Sequence, residues 1–426
     1  TLDGTLFPYT TLFRSCHGQA AGPSASPNES LGIGLVGCGG MGTGDAKMAV
    51  ALGCRLVAIS DLDETRLARV KTVFPDARAH KDFRKLVTQP DVDAVICGTV
   101  DHWHTLVSMA AVRAGKDVYC EKPLTLTIDE GKRLVKAVRA SGKILQTGTQ
   151  QRSNPQFRLA CELVRNERIG KLKEIHVWVP AGLRDGPFAA KPVPSGLDWD
   201  FWQGQTPDVP YVEERCHLKF RYWWEYSGGT LTDWGAHHND IALWAVGPEP
   251  CGPVEVEGKR LIEMIPGGFT AFSEYEVQYT YANGVRHICR TTKASGWNGA
   301  VLDPKGQLHG IRFEGTDGWI WVTRGLIQAS DPALLTTPLP AGAVRLYASD
   351  HHMDNFLSCV KQRKAPICDA ETGHRSASMC HLGAISMRLG RKLRWDPAAE
   401  IFKGDDEANG MLARPMRKPW DYDFIG

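Results

Sequence analysis

The chain has 426 residues, 42% of them hydrophobic and 23% charged, with a formal net charge of +2 at neutral pH. That length exceeds one ordinary hydrophobic core, so two domains are expected. The near-neutral charge without a basic block argues against a nucleic-acid partner, and no apolar run approaches the ~18 residues a membrane span needs.

The first stretch, TLDGTLFPYTTLFRS, has no helical or strand period that continues into a domain, and CHGQAAGPSASPNES reads as a small-residue Pro/Ser linker. Residues 1–30 are therefore expected to be an unstructured or artefactual leader and linker, outside the fold. A stub of that composition often follows an export signal. The expected localisation is cytoplasmic, or periplasmic by twin-arginine export with the signal missing from this chain. The 12 cysteines form no CxxC pair, and most, such as Cys54, Cys97, Cys120, Cys359 and Cys380, sit in apolar runs. That pattern suits buried free thiols in a reduced compartment better than a disulfide framework.

The segment LGIGLVGCGGMG is an apolar strand from Leu31 to Val36 running into the loop Gly37-x-Gly39-x-x-Gly42. A helix follows, with Ala46, Met48, Ala49 and Leu52 for its inner face. A second strand, CRLVAIS, ends at Asp61. A glycine triplet alone is weak evidence, but strand, loop, helix and strand-end acid together form a dinucleotide-binding pattern. The first glycine makes the tight turn, the second lets backbone N–H groups approach a pyrophosphate, and the third lets helix and strand pack closely. The helix N-terminus then faces the phosphates. Gly37, Gly39, Gly40, Met41 and Gly42 are thus cofactor-binding candidates. Asp61 would accept from a ribose hydroxyl and repel a 2′-phosphate, favouring NAD over NADP, with Arg66 weakening that preference slightly.

The alternation continues through VDAVICGTV, TLVSMAAVRAG, KDVYC, TIDEGKRLVKAVRASG and KILQTGT. Strand–helix alternation of this kind means an α/β Rossmann domain with a doubly wound parallel sheet, assigned to residues 31–150. Ligands bind at the carboxyl ends of such strands. Those ends carry Thr99, His102 and His104, then Glu121, Lys122 and Pro123, then Gln150 and Arg152. Lys122 at a strand end would point into the cofactor crevice. Thr127 or Asp129 would cap the helix after it.

After Gln150 the period changes to two. LKEIHVWVP, GPVEVEGKRLIEMIP, FSEYEVQYTYANGVRHICRTT and GIRFEGTDGWIWVTR read as strands, with an Asn-Gly hairpin in YANGV and a second hairpin in EGTDGWIWV. Residues 151–426 are expected to form an α+β domain with a large, open, mostly antiparallel sheet. Two late helices run over about Met353–Gln362 and Thr372–Leu389.

Between the strands lies GGTLTDWGAHHNDIALWAVG, Gly228 to Gly247. It reads as a helix from about Thr232, with Thr232 as N-cap. Asp233, His237 and Asp240 fall at i, i+4 and i+7 on one face, and His238 falls off it. Three readings compete. A metal site needs three or four converging ligands, and the spacing is not of the HExxH type. A buried knot would have Asp233 orienting a core histidine, and core positions are the expectation for His238 and Asp240. An acid–base site needs a group poised near working pH, which histidine supplies unperturbed and lysine supplies when a cleft lowers its pKa. The same region is rich in aromatics, Trp199, Phe201, Trp202, Tyr211, Tyr222, Trp223, Trp224, Tyr226 and Trp234, most of them ordinary core.

The opening GxGxxG, the DHWH turn, EKP, GTQQR and the later GG…D…H..D together resemble the glucose–fructose oxidoreductase and inositol dehydrogenase (Gfo/Idh/MocA) family, from Leu31 to the end. The resemblance implies NAD as cofactor, no metal, and a second sheet that also serves a homo-oligomer, dimer or tetramer. It implies that Asp233 and His237 form a carboxylate–imidazole pair near the nicotinamide, opposite Lys122, with Asp233 fixing the imidazole tautomer. Lys122, Asp233 and His237 are the catalytic candidates. Thr99, His102, His104, Glu121, Lys122 and Gln150 join the cofactor contacts. Lys122, Arg152, Arg221, Tyr222 and His237 are the substrate candidates, and Glu371, His374 and Arg375 also match the family pattern. The implied activity is NAD-dependent hydride transfer at a hydroxyl of a sugar, glycoside or cyclitol. Alternatives are a glycosidase that oxidises, eliminates and reduces in one cycle, and a non-catalytic NAD-binding sensor.

Overall fold

The computed structural model describes residues 30–247, 252–291 and 302–426. Apart from Ser30, the expected leader lies outside the described residues. The first sheet has strands β1 Gly32–Val36, β2 Arg55–Ser60, β3 Arg78–His80, β4 Ala94–Cys97, β5 Asp117–Cys120 and β6 Leu145–Thr147. Their order is β3-β2-β1-β4-β5-β6, and every pair is parallel. β1, β4 and β5 are buried along their whole length, as strands covered by helices on both faces must be. The strand order reverses between β1 and β4, which opens a crevice at their carboxyl ends. Thr127, not Asp129, caps the Ile128–Ser141 helix, its hydroxyl accepting from Glu130 N.

The second sheet has nine strands. They are β7 Leu172–Val179, β8 Pro253–Arg260, β9 Tyr275–Tyr281, β10 Arg286–Thr291, β11 Gly310–Gly315, β12 Trp319–Thr323, β13 Leu326–Ala329, β14 Leu393–Asp396 and β15 Ile401–Phe402. The order is β13-β12-β11-β7-β10-β9-β8-β14-β15, antiparallel except for the β7–β10 pair. β9 alternates strictly, sending Tyr275, Val277, Tyr279 and Tyr281 into the core. The β9–β10 turn uses Gly284 at φ 84°, where a side chain would be strained. β13, β14 and β15 have 4, 4 and 2 residues, too short to show a period in sequence.

Helices Thr230–Val246 and Ala370–Leu389 pack together and onto the inner face of this sheet. The first begins two residues before the expected Thr232. Its N-cap is Gly229 at φ 70°, a conformation threonine would resist, and the Thr232 hydroxyl instead accepts from Gly228 N within the first turn.

The chain also returns to the first core twice. Met353, Phe356, Leu357 and Val360 of the His352–Gln362 helix pack with Ile33, Leu35 and Tyr119, while Trp420 and Ile425 pack with Phe83, Trp103 and Phe201. Residues that sequence alone placed in the second unit therefore cover faces of the nucleotide-binding sheet. Ten cysteines are described, and all are free and buried. Among the described residues no helix is long and apolar enough to cross a membrane.

Candidate active site

The glycine loop has the shape a pyrophosphate requires. A Cβ on Gly37, which sits at φ +93°, would lie 2.5 Å from Gly98 O, and one on Gly42 would lie 2.4 Å from Gly37 O. At Gly40 a Cβ would meet nothing within 4 Å, so the loop is closed toward the sheet and open toward the crevice. Gly40 and Met41 are exposed, and no side chain caps the Gly40–Ala51 helix. Its first-turn N–H groups and its dipole are left for an anion.

Asp61 holds this loop from the neighbouring strand. Its Oδ2 accepts from Cys38 N at 2.7 Å and its Oδ1 from Asp63 N at 2.9 Å. Burial raises its pKa, against the pull of these backbone donors. The Arg69 guanidinium donates to Cys38 O, and Arg66 reaches Gly39, so two cations flank the loop on the Asp61 side. Asp61→Ser is expected to narrow the preference for NAD over NADP, because the carboxylate that repels a 2′-phosphate is lost while Arg66 and Arg69 stay. Kd ratios for the two cofactors check this. A wild type that prefers NADP would contradict the assignment of Asp61.

The strand-end histidines are used internally. His102 is fully buried, with Nε2 2.8 Å from Trp202 O and its ring between Trp202 and Tyr226, and burial takes it down to about 3. His104 is 1% exposed, and its Nδ1 lies 2.7 Å from Pro123 O. Neither ring has surface left for a cofactor. His104 braces the turn that presents Lys122, through Pro123 O, and His102 ties the β4 turn to Trp202. Thr99 is half-buried, its hydroxyl donating to Val100 O. Glu121 accepts from Gln150 Nε2 at 2.8 Å, and burial pushes it up to about 7.

Lys122, from the end of β5, ion-pairs with Asp233 from the second domain. Arg221 Nε lies 3.2 Å from the other oxygen of Asp233. Burial works to raise Asp233, but Lys122 and Arg221 outweigh it and hold the carboxyl down to about 2. His237 is 7% exposed on the same helix, and its Nδ1 is buried without a hydrogen-bond partner. Burial, with the charges of Lys122 and Arg324 added, keeps His237 well below the ordinary histidine range, hence neutral. The expected Asp233–His237 pair is therefore replaced by Asp233 with Lys122 and Arg221. Two cations compete for the carboxylate better than a neutral imidazole does.

Arg152, expected at the substrate, is 8% exposed and bound to fully buried Asp240 by Nε–Oδ2 at 2.7 Å and NH2–Oδ1 at 2.9 Å. It also lies over Trp244. A guanidinium so enclosed has no face for a ligand. His238 contacts His309 Nδ1 through Nε2 at 3.2 Å, and His309 leads on to Asp303. Gln151 Nε2 donates to His237 O, and Arg324 Nε donates to Gln151 Oε1.

Tyr222 is half-buried with its ring 5.3 Å from Phe269. Beyond it opens a cavity of about 540 Å³ whose lining includes Phe188, Arg215, Trp223, Met264 and Thr270. Trp199, Trp202, Tyr211, Trp223 and Tyr226 form a buried cluster behind it. His374 bonds to Glu400, and Arg375 to Glu371, in the late helix. Asp101, Ser227, Gln151 and Arg324 were not singled out by sequence. The one visible signal was Asp101, which opens the DHWH turn.

Two family profiles match this arrangement. The oxidoreductase family's NAD-binding Rossmann fold matches residues 31–149, and its C-terminal alpha/beta domain matches residues 177–318 and 338–422. The chain belongs to the Gfo/Idh/MocA oxidoreductase family. Its first domain is the family's NAD-binding unit, so NAD is the cofactor the glycine loop serves. The chain is 35% identical over 218 residues to the myo-inositol 2-dehydrogenase of Thermotoga maritima, across 51% of this chain and 55% of the relative. It is 34% identical over 150 residues to inositol 2-dehydrogenase 2 of Saccharopolyspora erythraea, across 34% and 44%. The chain thus spans about half the length of these relatives. In fold it is similar to levoglucosan dehydrogenase solved with NADH and levoglucosan, at TM-score 0.63 and 19% identity over 86% of this chain and 99% of that one. It is equally similar to the WlbA dehydrogenase of Bordetella pertussis, solved with NADH and UDP-GlcNAcA, at TM-score 0.64 and 20% identity over 86% and 99%.

Proposed function

We propose that this protein is an NAD-dependent oxidoreductase acting on a hydroxyl group of a sugar, glycoside or cyclitol. The observation that carries this reading is the meeting of Lys122 with Asp233 across the domain seam, at the carboxyl ends of the nucleotide-binding strands. Bound NAD would accept the hydride from the carbinol carbon. The chain's own residues manage the proton and hold the substrate. Asp233 stays ionised through the working pH range and fixes the Lys122 amine. His237, neutral at the same pH, offers a lone pair to the substrate hydroxyl from the opposite domain, its basicity weakened by burial. Arg221 and Tyr222 line the approach as substrate contacts. The inositol and levoglucosan dehydrogenases among the relatives support a polyol substrate.

A glycosidase that oxidises its sugar transiently, using the same cofactor and the same Lys122–Asp233 pair, is the second reading. One experiment separates the readings. The purified protein is incubated with NAD and a panel of inositols, free sugars and 4-nitrophenyl glycosides. NADH accumulation is the expected result. Aglycone release without net NADH selects the glycosidase, and cofactor binding with no turnover on any member selects a sensor. We further propose a homo-oligomer built through the second sheet, which light scattering on the purified protein tests.

A further inference from the structure

Beside the Lys122–Asp233 pair lies a second polar contact between the two domains. Asp101, in the turn after β4, is 5% exposed, and its Oδ2 accepts from Ser227 Oγ at 2.5 Å. Ser227 is 1% exposed and lies 3.4 Å from Thr232 Oγ1. Thr232 accepts from Gly228 N, and Asp233 N donates to Gly229 O, so Ser227–Asp233 forms one hydrogen-bonded turn at the start of the helix. Asp101 grips that turn from the cofactor domain. Charged groups face it from each neighbouring element: Lys122 from the end of β5, Asp233 from the helix, and Arg221 from the turn before the helix.

We propose that Asp101 is a positioning residue for the Lys122–Asp233 pair: its carboxyl ties the β4 turn to the start of the helix and sets the charge beside Lys122. This role rests on the reading of Lys122 as the proton-handling group. Burial first, with Asp233 adding, pushes Asp101 up to about 7, against the Ser227 hydrogen bond and the Lys122 charge. A carboxyl in that range is half-neutral at working pH. Neutral, it contributes only its bond to Ser227. Ionised, it places a second negative charge beside Lys122 and holds the ammonium proton more firmly, opposing Lys122 as a base. Sequence gives an aspartate here no distinction from any turn-forming acid. Its burial against a serine of the other domain is what separates it.

Asp101→Asn keeps size and hydrogen-bonding capacity and removes the charge. The pH at which turnover rises is expected to move down, on the order of one pH unit for loss of a near neighbouring charge, with NAD affinity within a few-fold. Ser227→Ala removes the bond that favours the ionised form, so it moves the profile the same way by less. A merely packing role would lower turnover equally at every pH, and profiles that superimpose on wild type in both variants would overturn the proposal. A second measurement needs no substrate. In pH-difference infrared spectra, wild type should show a carboxylic C=O band that titrates near neutral pH. Glu121 contributes a band of its own there, so the Asp101 component is read as the difference between wild type and Asp101→Asn; it should be displaced to higher pH in Ser227→Ala, and spectra unchanged in both variants overturn the proposal. If wild type oxidises no sugar on the panel, the functional reading falls while the infrared arm still decides the state of Asp101.

Discussion

Lys122→Ala is expected to lower turnover by ~10²–10⁴-fold, the usual worth of a general acid–base group, while NAD affinity stays within a few-fold. The separation follows from geometry. The phosphates are served by the Gly37–Gly42 loop and the open helix N-terminus behind it, whereas Lys122 stands at the end of β5 against Asp233. His237→Ala is expected to lose turnover on the same scale, on the proposed reading that its neutral imidazole meets the substrate hydroxyl beside Lys122. The double variant should lose far less than the product of the two, because groups acting on one proton are non-additive. Asp233→Asn acts chiefly on Lys122, whose counter-charge it removes, and only secondarily on His237. Steady-state turnover with cofactor binding measured in parallel checks all four proteins. Near-native turnover in Lys122→Ala or His237→Ala would return that residue to a packing role.

The second large effect is on stability. Asp240→Ala is expected to destabilise the protein by ~3–5 kcal/mol, the range for breaking a buried ion pair by removing one partner. Asp240 is fully buried and holds Arg152 through two hydrogen bonds and Ser376 through a third at 2.5 Å. Its removal leaves a guanidinium enclosed without its counter-charge. The double change Arg152→Met with Asp240→Leu should be less damaging than Asp240→Ala alone, because a pair replaced by apolar groups leaves no uncompensated charge. Urea unfolding of the three proteins decides. Equal midpoints for wild type and Asp240→Ala would mean that water reaches the pair and that its burial contributes nothing.

Much of the architecture is written locally. Period-two alternation in β9, continuous apolar runs in β1 and β4, and the glycine loop between β1 and its helix are all properties of neighbouring residues, so they can be read without knowing what packs on them. Lys122 was legible for the same reason. A lysine that ends a strand of a parallel sheet has its direction set by the strand, and strand ends face the crevice.

What only the tertiary structure decided is which partner each polar group takes. Helical spacing correctly put Asp233 and His237 on one face, but spacing counts only residues of the same helix. Arg221 lies 12 positions before Asp233 (233 − 221) and Lys122 lies 111 before it, and these two cations, brought in by the turn and by the other domain, claim the carboxylate. Arg152 followed the motif to the crevice, yet Asp240, 88 residues on, turns it into the core. Asp101 was visible only as the first residue of the DHWH turn, and its partner, Ser227, lies 126 residues away. Sequence determines the backbone frame because hydrogen-bonding periods and apolar faces are short-range. The site's charges are decided by tertiary structure because burial removes water as the default partner, and each charge must then be met by whichever group the fold delivers.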